Sequence, residues 1–195
     1  MKKKIGILLR LDDTYHMNRE LGEWILENNM IPIGIVSNNI NDMIEIVNIC
    51  DGVVLQGGTD YTEEELKFSR YLYEHDIPTL GICLGMQTMS VALGGTLKTM
   101  PNLSHQSNQK YVHQIRIKKD TKLYEIIQCN KIYVNSRHKD YVVDTNLSVS
   151  ARSMDSIIEA VEDKRHKFFL GVQWHPESSK DIYSAKLLKE FKETL

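Results

Sequence analysis

The sequence predicts an α/β fold with a parallel sheet covered by helices on both faces. Two observations in the first half carry this. Short apolar runs of strand length alternate with longer stretches of helical periodicity. The runs are apolar at successive positions, as expected of strands buried on both sides rather than on one. The second half is richer in strand-like runs. In such folds ligands bind beyond the carboxyl ends of the strands, so residues just after the strands are the candidates for chemistry.

The elements follow in order. Ile5 to Leu9 is a first strand. Tyr15 to Asn29 carries Met17, Leu21, Trp24 and Ile25 at helical spacing. Ile31 to Val36 is a second strand, Asn41 to Cys50 a helix and Gly52 to Leu55 a third strand. Thr62 followed by Glu63, Glu64 and Glu65 has the form of a capped helix start, with acids at the positive end of the dipole; this helix extends to about His75. Ile77 to Ile82 is a fourth strand, with Leu84 to Leu93 helical after it. Tyr111 to Lys118, Lys131 to Val134, Leu147 to Ala151, Ile157 to Val161 and Phe168 to Val172 have strand character. Ser179 to Leu195 is a closing amphipathic helix. No internal repeat, low-complexity tract or linker interrupts the sequence, so one domain over residues 1–195 is expected.

Composition narrows the function classes. The chain has 195 residues, 42% hydrophobic and 26% charged, with a formal net charge of −2. These are globular values, with no global attraction to nucleic acid or an anionic membrane. No apolar run approaches the ~20 residues that span a bilayer. The run after the basic N-terminus is too short for a signal-peptide core, which favours the cytoplasm. The three cysteines, Cys50, Cys83 and Cys129, are odd in number and lack CxxC spacing, which argues against a disulfide framework and a structural zinc site.

Cys83 stands apart because of its setting. Gly81-Ile82-Cys83-Leu84-Gly85 joins a strand to a helix, in the manner of a nucleophile elbow with cysteine for serine. The small flanking residues permit a tight turn. At a helix N-terminus the dipole and free N–H groups favour a thiolate, and the Leu84 N–H can stabilise an oxyanion. By itself the pentapeptide also fits a buried cysteine at a helix start. Gln56-Gly57-Gly58-Thr59-Asp60 follows the third strand. Its paired glycines let backbone amides face a ligand, and the Gly58 N–H can serve as a second oxyanion donor; a plain turn is the alternative. Gln173-Trp174-His175-Pro176-Glu177 follows the last strand. Pro176 disfavours helix at His175. In extended chain His175 and Glu177 share a side, so the carboxylate can orient the imidazole as a general base.

Together, Gly-Ile-Cys-Leu-Gly-Met-Gln at 81–87 and Gln-Trp-His-Pro-Glu at 173–177 resemble the class I glutamine amidotransferase superfamily over nearly the whole chain. The resemblance implies a flavodoxin-like fold: a mostly parallel central sheet flanked by helices, with an additional small antiparallel β region. It implies Cys83 as nucleophile, His175 as base and Glu177 as its orienting acid. The chemistry is attack on a γ-glutamyl amide, a thioester intermediate and release of glutamate by water, with no metal or organic cofactor. Val91 to Leu97 and Val134-Asn135-Ser136-Arg137-His138 look like the γ-glutamyl hydrolase branch, the peptidase C26-like enzymes acting on substituted glutamines such as γ-glutamyl-aminobutyrate. There Gln87 lies near the substrate with Gly57, and Asn135, Ser136 and His138 border the pocket; a polar loop after a strand is the alternative. Two departures fall on the leaving-group side: Tyr61 runs straight into the next helix, and Lys139-Asp140 stands where a second histidine often follows.

Lys98 to Lys119 contains no acid but holds Lys98, Lys110, Arg116, Lys118 and Lys119, with His105 and His113. With Arg137 it suggests an anionic leaving amine, phosphoryl- or nucleotidyl-bearing, such as a nucleoside diphosphoramidate; a solvated strand face is the alternative. The partner expected is a small γ-glutamyl substrate. If the chain is instead the glutaminase component of a two-part amidotransferase, a synthetase is expected as well; a homodimer is also open. A non-catalytic binding module is disfavoured by the intact Cys83, His175 and Glu177 set. A stress-protein or deglycase fold lacks the late Trp-His-Pro-Glu, and a serine hydrolase needs serine at the elbow.

Overall fold

The computed structural model describes every residue except Asp12, Ser37 and Asn38. The first half runs β1 (Lys3–Leu8), β2 (Arg10–Leu11), β3 (Tyr15–His16), α1 (Arg19–Glu27), β4 (Met30–Ile35), α2 (Ile40–Val47), β5 (Gly52–Leu55), α3 (Glu63–Glu74), β6 (Thr79–Ile82) and α4 (Leu84–Ala92). The second half continues with β7 (Thr96–Thr99), β8 (Gln106–Ser107), β9 (His113–Ile117), α5 (Lys122–Ile127), β10 (Lys131–Val134), β11 (Ser136–Arg137), β12 (Asp140–Asp144), β13 (Ser148–Ser153), β14 (Ile158–Glu162), β15 (Phe169–Val172), α6 (Pro176–Ser179) and α7 (Ile182–Thr194).

The α/β architecture expected from the alternation is present. A nine-stranded sheet has the order β10-β9-β13-β14-β15-β6-β5-β1-β4. From β4 to β15 the neighbours are parallel. From β15 outward to β10 they are antiparallel. Three short antiparallel ladders lie outside it: β8 with β11, β7 with β12 and β2 with β3.

The sheet is buried on both faces because its parallel strands send alternate residues to opposite cores. Ile5, Ile7, Val54, Leu80, Ile82, Leu170 and Val172 join Trp24, Ile25, Leu187 and Phe191 of α1 and α7. Leu8, Val53, Leu55 and Phe169 join Met43, Phe68, Leu72 and Met86 of α2, α3 and α4. The registers keep the carboxyl ends of the parallel strands level: Leu8 pairs with Leu55, Leu55 with Gly81 and Ile82 with Val172.

Several boundaries differ from expectation for local reasons. The helix expected from Tyr15 starts at Arg19, because the Asn18 side chain accepts from the Leu21 N–H at 3.2 Å and Tyr15–His16 pair with Arg10–Leu11 instead. The closing helix is split. Lys180 is left-handed at φ 45°, and Asp181 caps α7 by accepting from the Ser184 N–H at 2.8 Å. Helix α5 was not expected from sequence. Its six residues are too few for a clear period, and it is held partly by Glu162 of β14, which accepts from the N–H groups of Lys122 (2.6 Å) and Leu123 (3.0 Å).

Candidate active site

The turn from β6 into α4 carries Cys83 at φ 51°, ψ −106°, a conformation that non-glycine residues rarely adopt and that elbows impose on a nucleophile. Its neighbours explain the flanking glycines. A Cβ on Gly85 would run into the carbonyl oxygen of Leu55, and one on Gly81 into the Met89 sulfur, with the Gly85 carbonyl carbon and Met86 nitrogen each at 2.9 Å. The Cys83 N–H donates to Val172 O at 2.8 Å, tying the elbow to β15. No side chain caps α4, so the first-turn N–H groups remain available at the cysteine. The other two thiols make local backbone contacts: Cys50 Sγ with Ile46 O and Cys129 Sγ with Lys131 O.

Strand β15 delivers His175 to the same place. Its Nδ1 donates to Glu177 Oε1 at 2.7 Å, and a Cβ on Gly57 would touch both the imidazole and Cys83 Cβ, which sets the ring beside the cysteine. The expected extended run through Glu177 does not occur. His175 is extended (φ −109°, ψ 86°), but Pro176 opens α6 and puts Glu177 in its first turn, as suits a proline at the first helical position. The carboxylate reaches the imidazole from that turn. Asn135 grips the His175 backbone from both sides, accepting from its N–H at 2.7 Å and donating to its carbonyl at 2.8 Å. Burial would lower the His175 pKa. The charge of Glu177 and the contacts with Cys83 and Glu177 outweigh it and raise the pKa to about 10, which favours the charged imidazole.

The diglycine loop after β5 is held by residues that sequence reasoning missed. The buried guanidinium of Arg10 donates to the carbonyls of Gln56 (2.6 Å) and Gly57 (3.2 Å) and to Glu65 Oε2 (2.7 Å). Burial pushes its pKa down while Glu65 opposes the shift. Gln56 accepts from the Asn18 N–H and donates to the carbonyls of Leu8 and His16, so one side chain joins three segments. A Cβ on Gly57 would lie 2.9 Å from His175 Cε1, and one on Gly58 2.9 Å from Arg10 Cδ. The available signal was the position of Arg10 just beyond β1, where an α/β sheet places its working residues.

A cavity of about 170 Å³ opens at Cys83, lined by Gly58, Thr59, Gln87, Gln106 and residues 137–140. Gln87 donates to Asp140 O (2.8 Å) and Gln173 Oε1 (3.2 Å), and Gln173 in turn points its Nε2 at Cys83 Sγ from 3.6 Å. The structure therefore gathers Gly58, Cys83, Gln87 and His138 at the cavity, with Gly57, Leu84, His175 and Glu177 around the thiol. Asn135 and Ser136 sit behind the wall: Asn135 on the His175 backbone, and Ser136 donating to His105 O at 2.8 Å. The basic stretch does not converge here. Arg116 and Lys118 line a separate groove with Arg152, and Lys110 lies over the Tyr111 ring. Arg137 and Lys139 do border the cavity.

Residues 10–177 match the family model of peptidase C26. The glutamine amidotransferase-like protein RP404 of Rickettsia prowazekii is 29% identical over 86% of this chain and 84% of its own length. The γ-glutamyl-γ-aminobutyrate hydrolase PuuD of Escherichia coli is 34% identical over 57% of this chain, an alignment that takes in half of the hydrolase. A GMP synthase (glutamine-hydrolyzing) of Geobacillus kaustophilus is 33% identical over 72% of this chain and 27% of the synthase. Among solved structures, a candidate GMP synthase component from Thermoplasma acidophilum superposes with a TM-score of 0.79 at 18% identity, over 100% of this chain and 94% of that one. That likeness bears on the fold. The family model spans the glutamine amidotransferase elbow and the late histidine and glutamate alike, and the chain belongs to the peptidase C26 family within the class I glutamine amidotransferase superfamily.

Proposed function

We propose that the chain is a cysteine-dependent hydrolase of γ-glutamyl amide bonds, in glutamine or an N-substituted glutamine. The observation that carries this is the buried Glu177–His175 pair set beside a cysteine held at positive φ. In this reading Cys83 sulfur attacks the γ-amide carbon as the anion. The N–H groups of Leu84 and Gly58 receive the developing oxyanion. The His175 imidazolium gives its proton to the departing amine, and the γ-glutamyl group stays on sulfur as a thioester. Neutral His175 then takes a proton from water as it attacks the thioester. Glutamate leaves and the imidazolium is restored beside the sulfur. Gln87, His138 and Gly57 shape the glutamyl site, with Asn135 and Ser136 acting from behind.

The leaving amine extends along residues 137–140, where Arg137 and Lys139 favour an anionic group. A phosphoryl- or nucleotidyl-bearing amine supplies such a group, as does the carboxylate of aminobutyrate. Purified protein assayed for glutamate release against glutamine and a panel of N-substituted glutamines, with Cys83→Ala as control, tests the reading. Release from none of them sinks it.

A second reading is supported by the GMP synthase relative and by a CTP synthase of Nautilia profundicola, 28% identical over 76% of this chain. The chain would then be a glutaminase that passes ammonia to a synthetase. Weak glutaminase activity alone, raised by a co-purifying synthetase, would favour it.

A further inference from the structure

Behind the cavity wall, four groups from separate segments converge in the interior. His105 precedes β8, His113 opens β9, His138 follows β11 and Glu159 lies in β14. One ligand-type atom from each lies within 4.8 Å of all the others. His105 Nδ1 is 3.2 Å from His138 Nε2 and 3.3 Å from Glu159 Oε1, while Glu159 Oε1 is 3.5 Å from His113 Nε2 and 3.8 Å from His138 Nε2. Glu159 is fully buried, and its carboxylate oxygens and the ring nitrogens of His113 make no well-aligned hydrogen bond, although imidazole nitrogens crowd Glu159 Oε1. Buried polar atoms are rarely left so.

We propose that His105, His113, His138 and Glu159 form a four-coordinate site for a divalent metal ion of the zinc type. Zinc bonds of 2.0–2.1 Å in a tetrahedron set neighbouring donors about 3.3–3.4 Å apart, close to three of these four spacings. Three imidazoles and one carboxylate suit zinc among the first-row metals. The outer contacts match as well. His105 Nε2 meets Asp155 Oδ2 at 3.1 Å and His138 Nδ1 meets Asp140 O at 3.0 Å. Ligating histidines use the second nitrogen in this way, on a carboxylate or a carbonyl, to fix ring and tautomer.

Such a site reverses the expectation drawn from the cysteines, and no spacing motif announces it. Its ligands lie on four separate segments, and it uses none of the cysteines that zinc patterns in sequence depend on. All four positions are filled by protein, which marks a structural site and not one with a place for substrate. Its consequence for the cavity is a fixed wall. His138 has both nitrogens engaged, so it bounds the substrate space as a surface and its hydrogen-bonding atoms face inward.

The test uses the full chain, purified without a histidine tag, stripped with chelator and titrated with Zn²⁺ against a chromophoric competitor. Co²⁺ is added in a parallel titration. The expected result is one Zn²⁺ per chain, a tetrahedral Co²⁺ spectrum and a rise in unfolding temperature on metal addition. His113→Gln should abolish all three while keeping the wild-type circular dichroism. Asp155→Asn should weaken Zn²⁺ by about 10- to 100-fold, and because it removes no ligand it reports on the site if His113→Gln fails to fold. Failure of wild-type protein to bind a stoichiometric ion overturns the proposal and leaves a histidine–carboxylate network. An octahedral Co²⁺ spectrum, or undiminished binding by both variants, overturns it equally.

Discussion

Along one wall of the cavity, Cys83, His175 and the Gln56–Gly58 loop extend from β6, β15 and β5, whose registers run level within the buried sheet. Along the other, Gln106 and residues 137–140 are carried by short ladders outside it, β8 with β11 and β7 with β12. The first wall is positioned by two hydrophobic cores and cannot shift without disturbing them. The second is tied to the sheet by fewer groups, chiefly buried Val142 and the buried polar side chains of Ser136 and His138. In the proposed function the reaction chemistry accordingly belongs to the sheet and the choice of leaving group to residues 137–140.

The sharpest division between the walls comes from the thiol. Cys83→Ala should lower turnover of every γ-glutamyl substrate by about 10⁴-fold or more, as loss of a nucleophile does elsewhere. Near-ultraviolet circular dichroism and unfolding temperature should stay close to wild type. A variant retaining a tenth of the activity would remove the sheet wall from the chemistry.

Glu177→Gln should cost about 10²-fold in kcat/KM, within the range for a positioned acid or base. It carries a pH signature. His175 has a folded pKa raised from 6.5 to about 10, with burial opposing and Glu177 and Cys83 driving the rise. A raised histidine pKa means that its stabilising interaction is full below pH 6.5 and is lost as pH climbs through about 10. Removing the carboxylate withdraws one of the groups that raise it, so the alkaline limb of the kcat/KM profile should move to lower pH. An alkaline limb that stays in place would detach Glu177 from His175.

What the sequence exposed also divides along these walls. Cys83, His175 and Glu177 were legible because local rules fix them: an elbow needs glycines at both sides, and a proline after a histidine limits its backbone. Strands β5, β6 and β15 were legible as apolar runs for the same reason. The ladder residues were not. Strand β7 is largely solvent-exposed and β12 offers only the short run Tyr141-Val142-Val143, so nothing in their periodicity marks a pairing across some forty residues. Arg10 and Glu65 were missed because a buried ion pair is a property of two segments, 55 positions apart, and neither residue is unusual in its own neighbourhood. Asn135 was expected to border the pocket and instead lies behind its wall, because its partner, the His175 backbone, is delivered by a strand far along the chain.

Arg10 provides a test of how the sheet wall is supported. Arg10→Met leaves the Glu65 carboxylate buried and unpaired and frees the carbonyls of Gln56 and Gly57. Breaking one side of a buried pair costs about 3–5 kcal/mol, which chemical denaturation would register. Arg10→Met with Glu65→Leu should recover part of that loss, because no lone charge remains. Equal stability of the single and double variants would show that the pair is not coupled.

The smallest effect is expected on the ladder wall, and it is the one that assigns the leaving group. Arg137 is partly exposed, donates to Ser178 Oγ at 3.1 Å and lies 3.6 Å from Glu20. Glu20 is held below the usual carboxylate range by its hydrogen bond from Ser178, against partial burial and with help from Arg137. Arg137 is thus already partly neutralised at the rim, and a further anion gains no more than a solvent-screened contact of up to about 1 kcal/mol. Arg137→Gln should therefore raise KM about fivefold for a glutamine whose nitrogen carries a phosphoryl or nucleotidyl group, and leave kcat unchanged. Glutamine itself should show no change, and the KM difference should shrink as salt is added. An equal rise in KM for glutamine and for the anionic substrate would place Arg137 in the frame of the site and not on the leaving group.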